Sequence, residues 1–167
     1  TVGYQQIAPH AVYPPMNHPT QYLFSTHKGR TLDEYILLYI ANGSGTFSSN
    51  KQKNIRLTTG SILLLFPGEW HNYEPDPSTG WDEYWIGFQG DNMETLVQNG
   101  FFCEQKKVFN VGLSLEVIQL FRMAISVATE QKAGFQQILG GITNLLLGMT
   151  HSLDKLQSFS QSQPMQL

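Results

Sequence analysis

The stretch LTTGSILLLFPGEWHNYEPDPSTGWDEYWIGFQG (57–90) decides the fold of this chain. Short apolar and aromatic runs alternate in it with turn signals at Thr59-Gly60, at Pro67-Gly68 and in PDPSTG (75–80). Runs of about four to eight residues between such signals are typical of β-strands. The predicted strands are Ser61–Phe66, Trp70–Tyr73 and Trp81–Phe88.

The residues before this stretch continue the same pattern. YILLYI (35–40) predicts a buried strand, and Asn42-Gly43-Ser44-Gly45 predicts a hairpin turn because these residue types tolerate positive φ. Thr46–Ser48 and Ile55–Leu57 add two short strands. Turn signals at intervals of about 8 to 12 residues favour a sandwich or a small barrel over a β-α-β arrangement.

The period of the apolar residues changes after residue 90. NMETLVQN (92–99) predicts a short helix, and Ser114 is expected as the N-cap of a helix over 115–132. Gly134 ends that helix, and a second one is predicted from Phe135 to about Leu156. A short connection makes the two long helices an antiparallel hairpin. The fold is therefore predicted to be mainly β with C-terminal helices.

Charge and cysteine content exclude several classes of protein. The 167 residues carry 10 Lys and Arg against 13 Asp and Glu, a net charge of −3, so the chain by itself is a poor candidate for nucleic-acid binding. A single cysteine, Cys103, permits no internal disulfide. The longest uninterrupted apolar run, 62–66, is too short to cross a bilayer, and no signal peptide is visible. We therefore expect a cytoplasmic protein with no membrane partner.

Catalytic and metal-binding motifs are not found in the sequence. The five histidines form neither an HxH nor an HExxH pair, and no GxSxG motif occurs. Asp82 and Glu83 are adjacent in a predicted strand, so they face opposite sides and cannot act as a facing pair of carboxylates. We expect no catalytic residue, no metal ligand and no cofactor.

A binding pocket is better supported. Strand alternation places Trp81, Glu83 and Trp85 on one face, and His71 and Tyr73 on one face of the preceding strand. If these faces point inward, they form an aromatic-walled pocket with a few polar groups, which suits a small polar ligand such as a sugar. The alternative is that the aromatic residues are simply core and that Glu83 faces solvent. The sequence leaves both open.

The second long helix is apolar over more than one face, whereas a helix that packs only on its own domain needs one stripe. Either the β domain covers the remaining apolar surface, or the helix mediates self-association, with Gly140, Gly141 and Gly148 allowing close approach of backbones. The residues predicted for such a dimer interface are Ile138, Ile142, Leu145, Leu146 and Met149.

The sequence from 20 to 156 resembles the cupin-type sensor domain of AraC-family bacterial transcription regulators. The residues that carry the resemblance are Gly60, Pro67-Gly68, His71, Tyr73, Gly80-Trp81, Tyr84-Trp85, Phe88 and Gly90, followed by KAGFQQILGGITNLLLGM (132–149) in the helices. The resemblance implies a jelly-roll β-barrel that binds a small effector, often a sugar, and a helical hairpin that forms a homodimer. It also implies that DNA is contacted only through helix-turn-helix modules absent from this chain.

The resemblance suggests boundaries and site residues as well. It implies an N-terminal arm over 1–20, a ligand-binding barrel over 21–111, a dimerisation hairpin over 112–156 and a linker over 157–167. Tyr73, Glu83, Trp85 and His71 are the implied pocket residues, and either Lys28 or Arg30 is implied as the basic residue that reaches the ligand.

The chain departs from the metal-dependent cupins, because the HxH and the glutamate expected before Gly43 and Gly45 are absent. The alternatives kept open are a cupin-fold metalloenzyme and a stand-alone carbohydrate-binding module.

Overall fold

The computed structural model describes residues 1–15 and 28–162. Within them lie eight strands and three helices. The strands are β1 (Val2–Ile7), β2 (Tyr35–Gly43), β3 (Gly45–Ser49), β4 (Ile55–Leu57), β5 (Ser61–Leu65), β6 (His71–Pro75), β7 (Trp81–Phe88) and β8 (Val108–Asn110). The helices are α1 (Asp91–Gln98), α2 (Leu115–Glu130) and α3 (Phe135–Ser162). The parts of the predicted arm, barrel and linker at 16–20, 21–27 and 163–167 lie outside the described residues.

The strands form two antiparallel sheets that enclose one interior. The larger sheet has the order β1-β7-β2-β5-β8, and the smaller has the order β4-β3-β6. From β4 to β7 the chain passes alternately between the smaller and the larger sheet, which brings the two sheets face to face. The fold is a cupin-like jelly-roll barrel followed by a two-helix hairpin, so the predicted fold class is confirmed.

Strands β2 and β5, at the centre of the larger sheet, are buried on both faces, and this explains the unbroken apolar run of β2. Ile36, Leu38 and Ile40 face the barrel interior, where they pack with Leu63 and Leu65 of β5. The alternate residues of the same strands face the helices and form a second core with Phe121 of α2 and Leu146 of α3; they are Leu37, Tyr39, Ile62 and Leu64. A strand with a polar face could not occupy this central position.

The helical hairpin is fixed to the outside of the barrel. Ser114 caps α2 as predicted, since its Oγ accepts a hydrogen bond from the Val117 backbone N–H at 3.3 Å. The Tyr39 hydroxyl of β2 donates to the Gly112 carbonyl at 2.7 Å and accepts from the Ser114 N–H at 3.0 Å. The start of α2 is thus held directly against the central strand of the sheet.

Two boundaries differ from those predicted. The segment expected to be an arm begins with β1, which pairs with β7 from Val2 opposite Ile86 to Ile7 opposite Trp81 and so belongs to the barrel. Helix α3 continues to Ser162 rather than ending near Leu156. Its last turns carry Gln and Ser, which have only modestly lower helix propensity than Leu, so composition alone does not mark a helix end there.

The predicted dimer residues lie on different sides of α3. Ile142 and Leu146 are buried in the core of the protomer, which corrects their assignment to an interface. Ile138 and Leu145 are about half exposed, and Met149 is half-buried. A helix that is apolar on several faces does not reveal from its sequence which face its own sheet will cover.

Gly43, at the crossing between the sheets, is expected to tolerate no side chain. Its φ is +101°, and an added Cβ would lie 2.2 Å from the Gly80 carbonyl oxygen. Gly43→Ala therefore combines backbone strain with a clash against backbone and should cost at least about 2 kcal/mol of unfolding free energy. Gly68→Ala is the control, because Gly68 also has positive φ, +76°, but nothing lies within 4 Å of the added Cβ. Equal losses in urea denaturation would contradict this account.

Candidate functional site

The barrel interior collects the aromatic and polar residues predicted for the pocket. Trp81, Glu83 and Trp85 alternate along β7 and all point inward, as His71 and Tyr73 do on β6. Each of the five is buried, and Glu83 is only 1% exposed. The alternative in which Glu83 faces solvent is therefore wrong. A ligand-binding role for these residues stays a prediction.

Arg30, and not Lys28, reaches this cluster. The backbone of Arg30 pairs with that of His71, with N–O distances of 2.9 Å in both directions. Its side chain then lies along β6: Nε donates to His71 Nε2 at 2.9 Å, and Nη2 donates to the Tyr73 hydroxyl at 2.6 Å. The side chain of Lys28 is exposed, and its carbonyl accepts a hydrogen bond from the Trp70 indole at 2.8 Å.

His71 is held as a neutral ring. Its Nε2 accepts from Arg30, so its proton is on Nδ1, which lies 3.3 Å from the Glu69 carbonyl oxygen and donates to it. Burial, with a smaller contribution from the Arg30 charge, lowers the pKa of His71 to about 3. At neutral pH, His71 therefore orients Arg30 and adds no charge to the site.

Glu83 is the buried carboxyl of the cluster. Its Oε2 accepts hydrogen bonds from the Tyr13 hydroxyl and from the Trp81 indole N–H, both at 2.9 Å. Its Oε1 is also buried and accepts no hydrogen bond from any residue in the described part of the chain. Burial raises the pKa of Glu83 to about 7, although the two donors and the charge of Arg30 act in the opposite direction.

Tyr13 also belongs to the site, although no pattern in the sequence indicates it. Its ring meets the Trp81 ring edge-on at a centroid distance of 5.9 Å and lies 6.3 Å from the Tyr73 ring. Burial beside Glu83 raises the pKa of the Tyr13 hydroxyl well above its usual value. Tyr13 stands alone in a proline-rich segment, so no periodicity could have pointed to it.

The arrangement is suited to binding a small polar molecule. One carboxyl, one guanidinium and one imidazole lie together with four aromatic rings; Tyr13 and Arg30 are partly buried and the other members are buried. The rings are those of Tyr13, Tyr73, Trp81 and Trp85. Interiors of this composition are typical of small-molecule-binding domains, since apolar walls provide contact area and a few polar groups fix orientation. Over residues 1–15 and 28–162, no group of three or more His, Cys, Asp or Glu side chains converges as a metal site would require.

Comparison with protein families also identifies a ligand-binding domain. The family model described as the AraC-like ligand binding domain matches residues 9–147, which is most of the chain. The chain therefore belongs to the AraC-like ligand binding domain family.

Two curated relatives are transcriptional regulators of bacterial operons. The raffinose operon transcriptional regulatory protein of Pediococcus pentosaceus is 28% identical over 103 residues, which are 59% of this chain and 37% of that protein. The Msm operon regulatory protein of Streptococcus mutans is 30% identical over 76 residues, which are 42% of this chain and 27% of that protein. The matched regions thus span well under half the length of either relative.

Solved structures to which this chain shows a weak similarity include ToxT from Vibrio cholerae, with a TM-score of 0.46 and 11% identity over 81% of this chain and 59% of that one. Oxalate decarboxylase from Bacillus subtilis has a TM-score of 0.30 and 13% identity over 52% of this chain and 30% of that one.

Among the helices of the described residues, none is long and apolar enough to span a membrane.

Proposed function

We propose that this chain is the effector-sensing domain of a bacterial transcription regulator and that its effector is a neutral sugar bound inside the barrel. The observation that carries the proposal is the buried Oε1 of Glu83, an acceptor without a donor among the described residues and surrounded by aromatic rings. A sugar hydroxyl would supply that donor, and the C–H faces of the sugar would pack on the rings. The raffinose operon regulator among the relatives supports a sugar.

The proposed role is regulatory rather than enzymatic. In a regulator, the effector must bind one arrangement of the whole protein more tightly than another, because equal affinity for both would shift nothing. The DNA contacts would come from modules beyond this domain, reached through the residues that follow α3, and the protein would act in the cytoplasm. Support comes from the relatives, which are named as operon regulators and are much longer than the matched regions.

A homodimer through α3 is part of the proposal, with an interface that differs from the predicted one. The exposed side of α3 carries a seam at spacings of three and four residues: Ile138, Gly141, Leu145, Gly148 and Ser152. This is the spacing at which two helices pack along their length. An added Cβ at Gly141 or Gly148 would meet nothing within 4 Å, so nothing in the protomer accounts for these two glycines. Close approach of a second α3 would account for them.

Sugar binding is tested by thermal denaturation with raffinose, melibiose, galactose, arabinose and glucose as separate additives. A sugar present at about 100 times its Kd stabilises the folded state by about 2.7 kcal/mol, which raises Tm by roughly 5 to 10 °C for a domain of this size. We expect at least one sugar to do so. If none of the five shifts Tm, the proposed ligand class is refuted.

A matched pair of variants tests whether the sugar binds inside the barrel. Arg30→Met removes the guanidinium that is held in the cluster by His71 and Tyr73, and it should weaken binding of the active sugar at least tenfold in calorimetry, because a hydrogen bond between a charged group and a sugar hydroxyl contributes about 1.5 to 3 kcal/mol. Lys28→Met removes the same charge from an exposed side chain two residues away and should leave the affinity unchanged. Equal affinities for the two variants would place the sugar elsewhere.

A further inference from the structure

A buried ion pair lies beside the turn that leads into β6. Lys107, directly before β8, is 1% exposed, and its Nζ lies 3.0 Å from Oε2 of Glu69 in the turn between β5 and β6. The same Nζ donates to the Glu104 carbonyl and lies 5.2 Å from the centre of the Phe66 ring. The backbone of Lys107 is fixed as well, because its carbonyl accepts from the Leu64 N–H of β5 at 2.8 Å.

Such a pair is a poor source of stability. Removing two charges from water costs several kcal/mol per ion, and replacing a buried pair with apolar residues of similar volume is often neutral or stabilising. Both carboxylate oxygens of Glu69 are buried and accept no hydrogen bond from the residues that the structure describes, although Oε2 lies within ion-pair distance of Lys107 Nζ. Packing alone would be better satisfied by two apolar side chains at these positions, so the pair points to a role in orienting its neighbours.

The pair is joined to the site through one residue. The carboxylate of Glu69 is held by Lys107, and the carbonyl of Glu69 accepts the Nδ1 proton of His71 at 3.3 Å. That contact leaves Nε2 of His71 as the acceptor for Arg30. The turn is also tied at Gly68, whose N–H donates to the Leu32 carbonyl at 2.8 Å. Of these contacts, the Lys107 pair is the one that holds the side chain of Glu69.

We propose that Lys107 and Glu69 are positioning residues of the effector site: by anchoring the Glu69 side chain they hold the Glu69 carbonyl against His71 Nδ1, and this contact acts together with the Arg30 N–H at Nε2 to favour the His71 tautomer that orients Arg30. Neither residue is proposed to touch the ligand. That the oriented Arg30 serves a sugar rests on the proposed function, whereas the effect on His71 does not.

The test uses the double variant Lys107→Met/Glu69→Leu, which removes both charges and keeps the side chains similar in volume. Nitrogen-15 NMR of His71 reports its tautomer without any ligand. In the unmodified protein we expect the Nδ1–H form alone, and in the folded double variant we expect a mixture of both tautomers. Binding of the sugar found by thermal denaturation should weaken at least tenfold in the double variant.

The control is Lys51→Met/Glu104→Gln, which removes an exposed ion pair close to Lys107 and keeps the Glu104 carbonyl in place. It should leave both the tautomer and the affinity unchanged. If the double variant does not fold, Glu69→Gln replaces it, since it removes the charge and retains the shape; the same mixture of tautomers is then expected.

A folded variant in which His71 remains entirely the Nδ1–H form overturns the inference, whether or not any sugar binds. A mixture of tautomers in a protein that binds none of the five sugars upholds the positioning of His71 and refutes the proposed function alone. The two failures are therefore distinguishable.

Discussion

Replacing Leu146 with glutamate is expected to unfold the domain, whereas replacing its neighbour Leu145 with glutamate is expected to leave it folded and monomeric. Leu146 is 1% exposed and packs in the core between α3, α2 and the larger sheet. Truncating a buried leucine costs about 2 to 5 kcal/mol, and a buried charge without a partner adds to that loss. The expected loss for Leu146→Glu is therefore above about 4 kcal/mol, visible in circular dichroism as the loss of a cooperative transition.

Leu145 is 52% exposed and lies in the middle of the proposed seam. A glutamate there is solvated in the protomer, so Tm should change little, but in a dimer two carboxylates would be buried against a second α3. Light scattering should give the mass of a dimer for the unmodified protein and of a monomer for Leu145→Glu. Gln119→Glu adds the same charge at an exposed position of α2 and should stay dimeric. A dimeric Leu145→Glu would place the interface on another surface.

Replacing Glu83 with glutamine is expected to change how stability depends on pH. Burial raises the pKa of Glu83 from 4.5 to about 7, so the folded protein holds this proton more tightly than the unfolded chain does. The resulting stabilisation is complete below pH 4.5, is lost progressively as pH rises to about 7, and is absent above that. A shift of this size corresponds to about 3 kcal/mol. Glu83→Gln should therefore remove the contribution of Glu83 to the pH dependence of stability, which falls between pH 4.5 and 7.

His71 acts in the opposite direction over an overlapping range. Its pKa is lowered from 6.5 to about 3, so the stability it contributes is present above pH 6.5 and is lost as pH falls towards 3. Between about pH 4.5 and 6.5 the two groups offset each other in the unmodified protein. Removing Glu83 exposes the contribution of His71, and the variant should become steadily less stable on acidification.

Urea denaturation in half-unit steps from pH 4.5 to 8 measures both effects. Glu74→Gln removes an exposed carboxyl from the same strand as His71 and should follow the unmodified protein throughout. If the Glu83→Gln curve runs parallel to that of the unmodified protein, Glu83 does not hold its proton near neutral pH.

Strand periodicity shows how far sequence reasoning reaches in this protein. Successive side chains of a strand point to opposite faces, so once β7 was predicted, Trp81, Glu83 and Trp85 had to share a side. The structure confirms that they do, and it adds that this side is the barrel interior. The choice between an interior and a solvent-facing Glu83 was open because it depends on where the second sheet lies.

Strand and helix periodicity gives no information about residues that lie outside the regular elements. Tyr13 and Arg30 lie outside the regular strands, so no repeat relates them to β6 or β7, and only the folded chain brings them to Glu83, His71 and Tyr73. The same holds for Lys107, a charged residue for which sequence statistics favour exposure.

The sequence by itself determined the order of β2 to β7 and of the three helices, the turns between those strands and the shared face of the pocket residues, because each of these is set by local backbone geometry. It did not indicate β1 or β8. The tertiary structure alone decided that Arg30 rather than Lys28 enters the barrel, that Tyr13 completes the cluster, and that Leu146 is core while Leu145 is surface. These outcomes depend on which element packs against which, and packing joins residues that are far apart in the chain and carry no common period.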